Sequence, residues 1–304
     1  MALALTRQLF DALAFVHANN VAHRDVCPSN VAIARDGTLV LLDFGIALPL
    51  PATRGPASTE ADEQVEQLGK LHFQVGTGPY RAPELLFGAR DYEPTKLDIW
   101  SAGASLVEFF LPFASPPESA HKRRRTMSNE DAQSLPDSGD EEAGEEISIG
   151  RSAFDDDFAS DDDASFSRGQ KRQYNDDEDE AQRPRRERLF QAVAGTGSEI
   201  ALIGSIFATR GTPKLDDWPE ANAYSSFKMF TFTAHERKML ENVVRQRGGA
   251  QEGLEALLRI IDDMMLVISA GGRASASEIV TKLEEVARPG DQLAAVLADI
   301  FDGD

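Results

Sequence analysis

His23-Arg24-Asp25-Val26-Cys27-Pro28-Ser29-Asn30, followed after twelve residues by Asp43-Phe44-Gly45, is the stretch on which the fold turns. Between the two lie Val31 to Ile33, an Asp36-Gly37 turn and Leu39 to Leu42. Short apolar runs on either side of Asp-Gly predict a β-hairpin. A hairpin returns the chain to its starting point. The two stretches that flank it, 23–30 and 43–45, are therefore expected close in space.

Downstream come Gly76-Thr77-Gly78-Pro79-Tyr80-Arg81-Ala82-Pro83-Glu84 and Asp98-Ile99-Trp100-Ser101-Ala102-Gly103. Upstream, Leu5, Leu9, Leu13 and Val16 fall at the spacing of one helix face, over residues 3 to 18, and the pattern stops at Asn19-Asn20. Helical patterns also cover Pro83 to Phe87, Asp98 to Phe110, Glu199 to Phe207, His235 to Gln246, Leu254 to Ile268, Ser275 to Ala287 and Gln292 to Phe301.

The 304 residues, 41% of them apolar, are enough for a sizeable core. The net charge of -20 opposes nonspecific binding to nucleic acid, whose phosphates an acidic surface repels. Much of that charge is local: residues 115 to 188 hold 21 Asp and Glu against 12 Lys and Arg. Like-charge blocks and low apolar content predict that this segment is disordered. No apolar run is long enough to span a bilayer, and the N-terminus has neither a basic leader nor a small-residue cleavage site, so an intracellular protein, nuclear or cytoplasmic, is expected. The single cysteine, Cys27, excludes an internal disulfide and a multi-cysteine zinc site. The basic runs at 122 to 125 and 183 to 188 read equally as a nuclear-import signal and as charge balance in a solvated linker. Ser128, Ser138 and Ser160 precede acidic residues, a pattern that acidic segments also produce by chance.

Taken in order, the four motifs resemble those of eukaryotic serine/threonine protein kinases. Tyr80 to Gly88, Tyr92-Glu93-Pro94-Thr95-Lys96, Phe207 to Pro213 and Trp218-Pro219 are similar to the cyclin-dependent type. The resemblance implies an α+β protein kinase-like fold, here a mostly α-helical C-lobe with a short catalytic-loop β-hairpin and the N-lobe absent. It divides the chain into a first part of the C-lobe (1–114), an acidic disordered insertion (115–188) and the rest of the C-lobe (189–304). It implies an enzyme that transfers the γ-phosphate of ATP to a protein hydroxyl with Mg²⁺. Asp25 would orient the attacking hydroxyl, and Asn30 and Asp43 would bind the cofactor and hold the metal. It further implies that His23 packs beneath the loop, that Asp98 braces the loop backbone, and that Glu84 forms a buried ion pair with Arg273. The implied partner is a protein substrate, another cyclin-dependent kinase being one candidate. A cyclin is compatible with the resemblance but has no support in the sequence, and neither nucleic acid nor membrane is implied.

The sequence also departs from this pattern. It has no glycine-rich phosphate loop, strand lysine or paired helix glutamate. Cys27 stands where such kinases carry a lysine, and supplies no charge to the γ-phosphate; a buried neutral filler is the stronger reading of it than a reactive thiol. His72 falls where many relatives carry a phosphorylated threonine, which leaves Arg24 without a phosphate partner; Thr53, Ser58 and Thr59 are candidate phosphosites. Kinases that activate cyclin-dependent kinases can lack such a site, so that subgroup is one expectation. Gly78-Pro79 replaces a bulkier pair. The rival reading is a noncatalytic docking or scaffold protein built on the same lobe.

Overall fold

The computed structural model describes residues 2–50, 66, 70–114, 186–191, 199–249 and 254–287, all within one unit made of residues 1–114 and 185–304. The expected insertion up to residue 185 and the expected helix Gln292 to Phe301 lie outside the described residues.

Helix α1 (Ala2–Ala18) buries Leu5, Leu9, Phe10 and Leu13. It stops at Asn20, whose positive φ of 54° is a left-handed conformation that asparagine tolerates better than most residues. Strand β1 (Val21–Ala22) pairs antiparallel with β4 (Leu48–Pro49), and β2 (Val31–Ile33) pairs with β3 (Leu39–Leu41) in the register Val31 to Leu41. The hairpin is thus where the sequence put it. Gln8 of α1 fastens its tip, donating to Gly37 O at 3.1 Å and accepting from Leu39 N at 2.8 Å.

Helix α2 (Pro83–Leu86) and helix α3 (Pro94–Val107) follow. Proline at the first helical position suits both starts, because no intrahelical bond needs its missing N–H. Residues 97–107 of α3 are all buried, so α3 is the central helix and shows little amphipathic patterning. Gly103 lets it approach its neighbour: a Cβ there would lie 2.8 Å from Met265 Cβ and 3.2 Å from Leu266 Cγ. Beyond α3, Arg186 to Arg188, counted with the insertion from sequence, are held in place. Arg186 pairs with Phe113 and donates to Leu111 O, and Glu187 N donates to Pro112 O.

Among the described residues the remaining α-helices are α4 (Glu199–Arg210), α5 (Ser225–Met229), α6 (Leu240–Gln246), α7 (Glu255–Ile260) and α8 (Ala276–Val286). Ser275 and Glu278 form a reciprocal capping box at the start of α8, which packs on α1. Two expected helices are shorter than their periodicity. His235 to Lys238 are not helical, because His235 O accepts from Thr212 N and Lys238 N donates to Thr209 O. The helix expected through Ile268 passes into a π-turn at Ile261–Met265 and ends, its late carbonyls taken by arginines: Arg210 binds Asp262 O and Leu266 O, and Arg237 binds Asp262 O. These side chains are remote in sequence, and periodicity cannot report them.

Candidate active site

Asp98 lies near the start of α3 and is fully buried, where an unpaired carboxylate would be costly. Three donors satisfy it: Oδ2 accepts from His23 N and His17 Nε2, both at 2.8 Å, and Oδ1 accepts from Arg24 N at 2.7 Å. Helix α3 thereby pins the backbone of the loop that carries Asp25. Arg24 has a positive φ of 66°, a conformation that costs a non-glycine residue about 1–3 kcal/mol and persists only when neighbours impose it.

His23 joins the two loops. Its Nε2 donates to Leu42 O at 2.8 Å, its Nδ1 accepts from Asp25 N at 3.2 Å, and its ring meets the Phe44 ring edge-on at 4.7 Å. It is buried and packs beneath the loop.

Asp25 stands over this base. Asn30 Nδ2 donates to Asp25 O at 2.8 Å and to Asp25 Oδ2 at 2.9 Å, and the Thr77 hydroxyl donates to Asp25 Oδ1 at 2.6 Å. Because its amide nitrogen faces Asp25, the oxygen of Asn30 is the end available to a cation. Asn30 O also accepts from Leu42 N at 2.8 Å, which ties this loop to the residue before Asp43.

Asp43 is exposed and also left-handed, with φ 58°. Gly45 N donates to its Oδ1 at 3.1 Å, and a Cβ on Gly45 would come within 3.0 Å of that oxygen, so glycine keeps the carboxylate clear. A carboxylate and an amide oxygen are hard donors suited to Mg²⁺, which takes few protein ligands and completes its shell with water and phosphate oxygens. Asn30 and Asp43 thus offer donor types that suit the metal the resemblance implies. Cys27 is buried, with Sγ 3.0 Å from Ser29 Oγ, and brings no charge to this surface.

Thr77, in sequence only a member of the Gly76-to-Glu84 motif, reaches Asp25 across 52 residues, a contact that no local pattern reports. The sequence also left Arg24 without an anionic partner. The structure supplies one: Glu66 Oε2 lies 2.7 Å from Nη1 and Oε1 2.7 Å from Nη2. Burial alone would push the Glu66 carboxyl up, but bonds from Arg24 and from His72 N outweigh it and hold the group below the ordinary range. Below the site, Glu84 and Arg273 pair as expected through two contacts of 2.6 and 2.8 Å, both side chains buried.

A family model described as protein kinase domain matches residues 2–159. Among curated relatives, CBL-interacting protein kinase 4 of Oryza sativa subsp. japonica is 41% identical over 124 residues, 38% of this chain and 24% of that protein. Cyclin-dependent kinase 20 of Rattus norvegicus is 38% identical over 102 residues, 34% of this chain and 25% of that protein. Cyclin-dependent kinase 9 of Xenopus tropicalis is 38% identical over 104 residues, with the same coverage of 34% and 25%. The chain spans about a quarter of the length of these relatives. Among solved structures, a chain of the yeast RNA Pol II CTD kinase CTDK-1 complex superposes with a TM-score of 0.56 at 21% identity, over 96% of this chain and 64% of that one. That likeness concerns the fold alone.

Proposed function

The chain belongs to the protein kinase domain family, and from that membership we propose that it carries the catalytic-loop half of a cyclin-dependent-type serine/threonine kinase. The observation that carries the proposal is the meeting of Thr77 and Asn30 on the Asp25 carboxylate, over a backbone pinned by Asp98. In this reading Asp25 accepts a hydrogen bond from the attacking serine or threonine hydroxyl and aims its oxygen at the γ-phosphate of ATP. A fixed carboxylate does this well because the geometry is set before the substrate arrives. Asn30 and Asp43 would hold Mg²⁺, which when bound would neutralise charge on the phosphate oxygens. Cys27, in the lysine position, supplies no positive charge to the phosphate.

The acceptor is a protein hydroxyl, with an activation segment of another cyclin-dependent kinase among the substrates to test and a cyclin among the partners. We place the acidic stretch of residues 115–184 as an insertion in sequence between the two parts of the lobe, residues 185–188 belonging to the lobe itself. The N-lobe elements that cover ATP have no motif in these 304 residues, so the activity proposed is that of the protein in which both halves are present. Among the described residues no helix is long and apolar enough to cross a membrane. The order in the Asp25 network favours this reading over a noncatalytic docking lobe.

The test is phosphate transfer from labelled Mg-ATP to a serine/threonine peptide mixture by the full protein. Asp25→Asn should lower kcat by about 10²- to 10⁴-fold. Asp43→Ala should remove the Mg²⁺ dependence together with activity. An Asp25→Asn variant as active as wild type would overturn the assignment.

A further inference from the structure

The guanidinium of Arg24, the residue immediately before Asp25, is almost wholly buried, with a side-chain exposure of 4%. A cation so placed needs acceptors for its N–H groups. Nε donates to Ile46 O at 2.8 Å, three residues past Asp43, and the two terminal nitrogens each donate to one oxygen of Glu66 at 2.7 Å. Parallel bonds of this kind fix orientation as well as distance. Glu66 Oε2 also accepts from His72 N at 2.9 Å, and Tyr92 closes the group by donating to His72 O at 2.5 Å. The Arg24–Glu66 pair thus ties together three pieces: Arg24 holds the stretch after Asp43 through Ile46 O, and Glu66 joins the Asp25 loop to the segment that leads through His72 to Thr77. Those three pieces are the ones that must be in register for Thr77 to reach Asp25.

We propose that Glu66 is a positioning residue for the phosphoryl transfer proposed above, on which this inference rests: paired with Arg24, it holds Asp25 and Thr77 in contact. The anion is part of the chain, so the clamp forms with no phosphate added to this segment. Thr53, Ser58 and Thr59 are then dispensable for it.

The full protein and its Glu66→Gln, Glu66→Asp and Asp25→Asn variants are to be compared in the peptide assay and by amide hydrogen exchange. Glu66→Gln removes the charge while keeping the size of the side chain. It should lower kcat about 10- to 100-fold while leaving KM for ATP nearly unchanged, and Glu66→Asp should recover part of the loss. Phosphatase treatment should leave the wild type fully active. In Glu66→Gln, exchange should accelerate in the segments 22–30 and 70–77, a readout that requires no catalysis. A Glu66→Gln variant with wild-type kcat, loss of wild-type activity after phosphatase, or unchanged exchange in those segments would each overturn the proposal. If wild type and Asp25→Asn are equally inactive, it is the kinase reading that fails. The exchange measurement then decides the clamp by itself, faster exchange supporting it and unchanged exchange ending it.

Discussion

Arg273 grips Glu84 with both terminal nitrogens, at 2.6 and 2.8 Å, across 189 residues of chain. The same guanidinium lies 5.1 Å from the Trp100 ring centroid and donates to the carbonyls of Val267, Ile268 and Lys96. The pair therefore links α2, α3 and the turn before α8. Arg273→Met would strand the Glu84 carboxylate in the core, at a cost of about 3–5 kcal/mol. Denaturant unfolding should show that loss, and the double variant Glu84→Gln/Arg273→Met should lose less than the sum of the two single changes.

Thr77 touches Asp25 through its hydroxyl and is exposed, so on the proposed function turnover and stability should separate at this position. Thr77→Val keeps the shape and deletes the donor. It should lower kcat by about tenfold or more while leaving the midpoint of unfolding almost where it was. Thr77→Ser should keep most of the activity. Equal kcat for Val and Ser would show that the hydrogen bond contributes nothing to turnover.

At Gly103 two effects oppose one another. Alanine is a better helix former by about 1 kcal/mol, yet its Cβ would lie 2.8 Å from Met265 Cβ, an atom fixed to the backbone of a buried residue. Overpacking of that sort costs about 1–3 kcal/mol, so Gly103→Ala should lower the melting temperature. A rise would mean that the π-turn at Ile261–Met265 moves aside freely.

The ionised Glu66 carboxylate gives a pH signature with a definite sign. Its folded-state pKa is depressed, so its contribution to stability is present above the unfolded value of about 4.3 and is lost as pH falls through the lower folded value. The gap in melting temperature between wild type and Glu66→Gln should be constant near neutrality and shrink below about pH 4. A gap that survives in acid would show that the carboxylate charge is not the source of the stabilisation.

The sequence by itself was enough for the hairpin and the first helix, because each rests on local chemistry: a turn pair between two apolar runs, and one apolar face at helical spacing. Asp25, Asn30 and Asp43 were singled out as site residues through the resemblance. The pair Glu84 and Arg273 was legible only through resemblance, since no periodicity joins residues so far apart. Tertiary structure alone decided three further things. It ended the helix at the π-turn, where Arg210 and Arg237 take carbonyls that a continued helix would have used. It kept His235 to Lys238 out of a helix by pairing them with the last turn of α4 and the chain just after it. It also gave Arg24 its partner, Glu66, 42 residues away. The physical reason is common to all three: propensity and pattern act over a few residues, whereas a buried charge or carbonyl accepts whichever partner the folded chain brings within about 3 Å.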